Sequence, residues 1–210
     1  MMTPVAVIND PAMTCTAPVS LLLSTGMKAV DHAVERITSR MANLHSDTVS
    51  ALTLKLLARG LPALKQRPDD LAVRAELQYA LFNLLGGLAA SAPSNLSHAI
   101  AHALGSLCEV SHGHTSCVLL PATLSWLGDD LGERRRTICE AMGRSGNDAS
   151  RAVSDLVAQL DLPTRLRDVG VRQEDLPVIA ERTLHDPLTA NCVRKVDRAE
   201  QVREVLDIAW

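Results

Sequence analysis

Four histidines fall within seventeen residues, His98, His102, His112 and His114, in the otherwise largely apolar stretch HAIAHALGSLCEVSHGH. Imidazole binds divalent metals through a neutral ring nitrogen, and it exchanges protons near neutral pH. His98 and His102 stand four apart, so a helix projects both from one face, one turn above the other. Ser111-His112-Gly113-His114 returns two more rings on a loop or at the start of the next helix. A helical pair with a returning histidine is one way for a chain to gather nitrogen donors around an ion. Any one of these residues alone reads as an ordinary core or helix-end histidine. Four so close together point to metal binding or catalysis.

The elements that must position them are helical. The chain has 210 residues, 47% hydrophobic and only 2% aromatic, so its composition suits close-packed helices better than a β-sandwich. The expected fold is all-α, a multi-helix bundle with the His98 helix at its centre, preceded by a short N-terminal strand, PVAVIN over Pro4 to Asn9, that Asp10-Pro11 ends. Residues 1–24 form the strand and a linker, and 25–210 a single helical domain. The spacing of apolar residues predicts a first helix from Thr25 to about Met41, then one starting at a Ser46 or Asp47 cap. A third opens at Pro68-Asp69-Asp70 and runs to about Ala90. Its YALFNLLGGLAA half is apolar nearly all round, which predicts burial, with Gly86-Gly87 allowing close packing. Gly105 offers the His98 helix a stopping point. A helix over Thr115 to Trp126 is started or interrupted by Pro121, and further helices are expected over Asp129 to Met142, Asn147 to Leu160, Gln173 to Leu184 and Asp197 to Ala209.

Net charge is −3, and the densest cationic run, Arg134-Arg135-Arg136, reads as a solvated helix face, which gives no basis for nucleic-acid binding. Five cysteines with no CxxC pair match a reducing compartment. No basic segment leads into an apolar run at the start, and no uniformly apolar stretch reaches membrane length. The expectation is a cytoplasmic protein that does not enter a membrane.

The histidine stretch followed by SHGHTSCVLLP resembles the metal-binding segment of the iron-containing alcohol dehydrogenase superfamily, and within it the maleylacetate-reductase-like branch. VINDPAMTCTAP with STGMKAVDHAVE is similar to the end of that family's nucleotide domain and the first helix of its helical domain. LPTRLRDVGV, HDPLTAN and VREVLDIAW resemble its closing segments. The resemblance implies that His32, His98 and His112 are ligands of a divalent metal, Fe or Zn, and that His102 relays protons near the substrate. It also implies that Lys28 stands where the family usually has a fourth ligand, an aspartate one turn before His32. A lysine there opposes a cation but can hold the carboxylate of a substrate. Asp31 is expected to point away from the site, and Glu35 to be a surface or packing glutamate.

No Gly-rich phosphate loop follows a strand, so NAD(P) is expected only if a partner domain supplies its site, the chain being either truncated or completed by a separate nucleotide-binding chain. The expected function is that of the metal-binding catalytic domain of an NAD(P)-dependent oxidoreductase acting on a small carbonyl compound or hydroxy acid. A cofactor-free metal hydrolase of a small lactone or ester is the alternative, and an inactive relic or oligomerisation module the second. The apolar surface that such a domain would otherwise bury predicts a homo-oligomer.

Overall fold

The computed structural model describes residues 6–89 and 92–210, without the side chains of 85–89. Nine α-helices and five 3-10 turns make up the described fold: α1 Val19–Ile37, α2 Leu44–Gln66, α3 Leu71–Ala89, α4 Leu96–Cys108, α5 His112–Leu127, α6 Arg134–Ala141, α7 Ala149–Gln159, α8 Leu176–Leu184 and α9 Ala199–Ala209. No strand occurs among the described residues; the one β-type pairing is an isolated antiparallel bridge between Ser39 and Cys192. The all-α expectation holds. The N-terminal strand does not appear: residues 6–10 have no ladder partner and lead into a 3-10 turn at Pro11–Thr16. Residues 4 and 5 of the expected strand lie outside the described residues.

Local chemistry sets the helix ends. α1 begins behind Pro18, six residues before Thr25, because Leu22 and Leu23 continue its apolar face. It stops at Ile37, short of Met41. Beyond it Arg40 N donates to Asn191 O at 2.9 Å and Ser39 bridges Cys192, so tertiary pairing replaces the helical bonds. α2 is capped by Asn43, not Ser46 or Asp47. Asn43 Oδ1 accepts from Ser46 N at 3.1 Å, and Ser46 Oγ accepts from Asn43 N at 2.9 Å.

α4 does not stop at Gly105. It runs to Cys108, and Glu109 reverses the chain in the left-handed region at φ 55°. Gly105 keeps a negative φ, so its freedom lowers helix propensity there without ending the helix. α5 passes through Pro121 unbroken, with the Pro121 carbonyl taken by Ser150 Oγ at 2.8 Å.

The bundle is built around α5 rather than the His98 helix. α5 touches α1, α4, α7 and α9, and from Thr115 to Leu127 it is buried on nearly every side. α1 lies against α2, α3 and α5, and α4 is held between α5 and α8. α3 lies at the edge against α2, which corrects the expected burial over its described residues 79–84: Tyr79, Leu81 and Phe82 are exposed, while Ala80 and Leu84 are buried. A helix apolar all round need not be central: α3 packs chiefly on α2, with lesser contact to α1 and the Pro11–Thr16 turn. The packing expected at Gly86-Gly87 lies outside the described residues.

Candidate metal centre and proton relay

The site is assembled where α1, α4 and the first turn of α5 meet. On α1, residues 28, 31, 32 and 35 occupy successive turns. Asp31 and Glu35 face inward and are almost fully buried, at 0% and 1% exposed. Glu35 is therefore not a surface residue. Its Oε1 accepts from Ser97 N at 2.6 Å, while its Oε2 accepts from Asn95 N at 2.9 Å and binds His98 Nδ1 at 2.6 Å. One carboxylate thus satisfies two amides at the α4 N-terminus, where a negative charge also complements the helix dipole, and fixes the ring of the first histidine in that helix. Asp31 accepts from Ser97 Oγ at 3.0 Å and lies 3.6 Å from His98 Nδ1. It points at the histidine from behind and not away from the site.

Because a carboxylate only accepts, Glu35 requires His98 to carry a proton on Nδ1, which aims Nε2 outward. That nitrogen meets His32 Nε2 at 3.2 Å, with the two ring centroids 4.1 Å apart. His32 Nδ1 is in turn 3.0 Å from Ser94 Oγ, and Asn191 Nδ2 holds the Ser94 carbonyl at 3.0 Å. His112 is the first residue of α5. The start of α5 is pressed against α1 at Ser24, one turn before Lys28: a Cβ on Gly113 would stand 2.7 Å from the Ser24 carbonyl carbon and oxygen. His112 packs edge-on against His102, centroids 5.9 Å apart, and contributes to the field at His32. His114 takes no part in these contacts.

The charges separate the two central rings. Burial lowers His98, but Asp31 and Glu35 override it and raise the ring to about 9. Burial, then repulsion from His98, Arg36, Lys28 and His112, pushes His32 down to about 3. Burial followed by Lys28, His102 and His98 also lowers His112. Burial raises Asp31 to about 7, against the pull of His98 and with help from the Glu35 charge. Around neutrality His98 is therefore an imidazolium whose Nε2 proton is donated to neutral His32 Nε2. Lys28, half-buried, forms no ion pair among the described residues, yet its charge acts on His32, His98 and His112 together.

This donor set suits a metal in one respect and resists it in another. Two imidazole nitrogens bound at about 2.0–2.1 Å to a tetrahedral zinc stand roughly 3.3 Å apart, and His32 and His98 present theirs at 3.2 Å. Backing of His98 by a carboxylate is the usual support for a metal-ligating histidine. Lys28 supplies charge where an ion prefers a neutral or anionic donor. Among the described residues, the group whose possible ligand atoms all lie within 4.8 Å of one another is Asp31, Glu35 and His98, but Glu35 and His98 use those atoms on each other.

His102 stands apart from this pair, its Nδ1 2.6 Å from Asp186 Oδ2. The histidine motif was legible in sequence. Ser94, Asn95, Asp186 and Asn191, which support the rings from distant segments, were not; the only signal was the capping type of Asn95 just before a helix.

The profile of the Fe-containing alcohol dehydrogenase family, C-terminal, matches residues 22–210. The chain belongs to the iron-containing alcohol dehydrogenase family. It is 34% identical to a 1,3-propanediol dehydrogenase of Citrobacter freundii over 92% of this chain and 52% of that protein. It is 27% identical to a maleylacetate reductase of Rhizobium sp. strain MTP-10005 over 99% of this chain and 57% of that protein. The crystal structure of a 1,3-propanediol oxidoreductase superposes with a TM-score of 0.88 at 31% identity, covering 96% of this chain and 55% of the other. The chain spans about half the length of the relatives it matches. The expected family is thus established, and maleylacetate reductases are among its relatives. No described helix is long and apolar enough to cross a membrane.

Proposed function

We propose that this chain is the metal-binding half of an NAD(P)-dependent oxidoreductase acting on a small carbonyl compound or hydroxy acid. In this reading His32, His98 and His112 hold a divalent metal, Fe or Zn, His102 carries protons, and Lys28 grips an anionic group of the substrate. The observation that carries the proposal is the pair of facing Nε2 atoms at 3.2 Å, each ring having its Nδ1 engaged, by Glu35 or by Ser94. With Ser94 Oγ accepting from His32 and Glu35 from His98, both rings are anchored at Nδ1 and aim Nε2 at one another, so loss of the His98 Nε2 proton would leave both nitrogens as donors to an ion. The proton between them is what an ion would displace. A metal bound there would polarise a carbonyl oxygen, and a nicotinamide held by a nucleotide-binding domain would exchange the hydride.

The residues of this chain do the rest. Lys28, on α1 beside the histidines and without an ion pair among the described residues, is placed to fix a substrate carboxylate. Polarisable and half-exposed, His102 gives the proton that a carbonyl oxygen takes up as its carbon gains hydride, and accepts it in the reverse direction. Membership of an alcohol dehydrogenase family favours the oxidoreductase over the lactone or ester hydrolase and over the inactive relic or oligomerisation module.

The test is direct titration of the purified chain with Zn²⁺ and Fe²⁺ by calorimetry, before and after Lys28→Asp. The expected result is measurable binding that tightens at least about tenfold in the variant, about 1.4 kcal/mol, and that His98→Ala abolishes. Neither chain binding an ion, or equal affinity in both, would overturn the assignment.

A further inference from the structure

Resting on the reading of His102 as the proton carrier, we infer that Asp186 is its positioning residue. The two come from segments 84 residues apart, yet Asp186 Oδ2 lies 2.6 Å from His102 Nδ1. An exposed pair of this kind is usually incidental, because holding two mobile side chains together offsets most of the attraction. Here only one partner is mobile. The Asp186 side chain is 14% exposed against 48% for His102. Its Oδ1 accepts from Leu188 N at 2.9 Å, and its carbonyl accepts from Thr189 N at 3.2 Å and Thr189 Oγ1 at 2.8 Å. Pro187 follows, opening the 3-10 turn that ends at Asn191. The carboxylate is therefore fixed by its own turn before the histidine reaches it, and the same turn holds Ser94 behind His32 through Asn191.

The consequence is a defined tautomer. An acceptor-only carboxylate at Nδ1 requires the proton there and leaves the lone pair on Nε2. The other groups facing the ring are His112, edge-on at 5.9 Å, and the Arg182 and His185 that share with it an open pocket of about 340 Å³. Among the described residues Asp186 is the hydrogen-bond partner of a His102 ring nitrogen, so the carboxylate sets the direction of the ring. Asp186, His102 and His112 thus form a line from an anchored turn to the rim of the histidine cluster. The free nitrogen of the middle ring is the one available for exchange.

The experiment is two-dimensional 15N–1H long-range correlation on the isolated chain, which reports which ring nitrogen of neutral His102 is protonated and needs neither metal nor activity. The expected spectrum shows protonated Nδ1 and unprotonated Nε2. In Asp186→Asn the retained oxygen keeps the Leu188 cap and turns the amide N–H toward His102 Nδ1, so the two nitrogens should exchange roles. An unmodified chain with His102 protonated on Nε2, or a folded D186N with its tautomer unchanged, would overturn the inference. Failure of the chain to bind metal would overturn the proposed function and leave this result standing.

Discussion

Replacing Glu35 by glutamine tests the structural centre of the site with a change of almost no volume. Glu35 engages three N–H groups: Ser97 N through Oε1, and Asn95 N and His98 Nδ1 through Oε2. A glutamine keeps the most bonds by placing its oxygen where Oε2 was, which turns its NH₂ toward the Ser97 N–H. One buried amide then loses its acceptor, at about 1–3 kcal/mol, and two charge-assisted bonds become neutral ones, at about 1 kcal/mol each. The sum is about 4 kcal/mol. For a chain of this size each kcal/mol moves the melting temperature by about 2–4 °C, so Glu35→Gln should melt about 10 °C lower by circular dichroism. The His98 ring, relieved of one of the carboxylates that raise it to about 9, should titrate lower by NMR. A variant melting within about 2 °C of the parent, with His98 titrating unchanged, would refute the account of α4 and its first histidine as held by this carboxylate.

Three further outcomes follow from the same packing. His98 is raised from 6.5 to about 9, so its contribution is fully present below pH 6.5 and is lost as pH rises through 9. At about 1.36 kcal/mol per unit it amounts to about 3 kcal/mol, and urea unfolding at pH 7 and 9 should show the midpoint fall; an unchanged midpoint would contradict it. Below pH 6.5 the lowered His32 and the raised Asp31 act in opposite directions, and above pH 9 the buried thiols of Cys117 and Cys192, raised to about 12 and about 11, add a loss of the same sign, so the window for His98 lies between pH 7 and 9. Gly113→Ala would set a methyl 2.7 Å from the Ser24 backbone, which cannot swing aside as a side chain can; unfolding should show a loss of about 3 kcal/mol or more. A loss under about 1 kcal/mol would show that α5 can shift at no great cost. Tyr79, Leu81 and Phe82 on α3, with Ile8 and Met13 near the N-terminus, expose apolar surface that favours self-association, so sedimentation velocity should find a species larger than the 22.6 kDa monomer at micromolar concentration. A single monomer boundary would count against it.

Periodicity and composition were enough for the sequence to determine the helical class and the position of most helices, because each amphipathic face needs only a neighbour and not a particular one. The spacing of His98, His102 and His112 likewise fixed which rings leave α4 together and which one returns on α5. Helix ends were less legible wherever a distant segment intervened: Ser39 and Arg40 left α1 for Cys192 and Asn191, and Asn43 capped α2 through a reciprocal bond with Ser46. The direction of Asp31 was misjudged from rotation about a single helix, and Glu35 is the buried packing glutamate of the two readings given for it, not the surface one. Both are directed by what α4 presents to α1: two amides, a serine hydroxyl and an imidazole. Asp186 reached His102 across 84 residues only because α8 packs on α4 and delivers the following turn to it. Residue types and spacing specify which groups can do chemistry. Which nitrogen carries the proton depends on buried acceptors brought from elsewhere in the chain, and only the tertiary structure decides that.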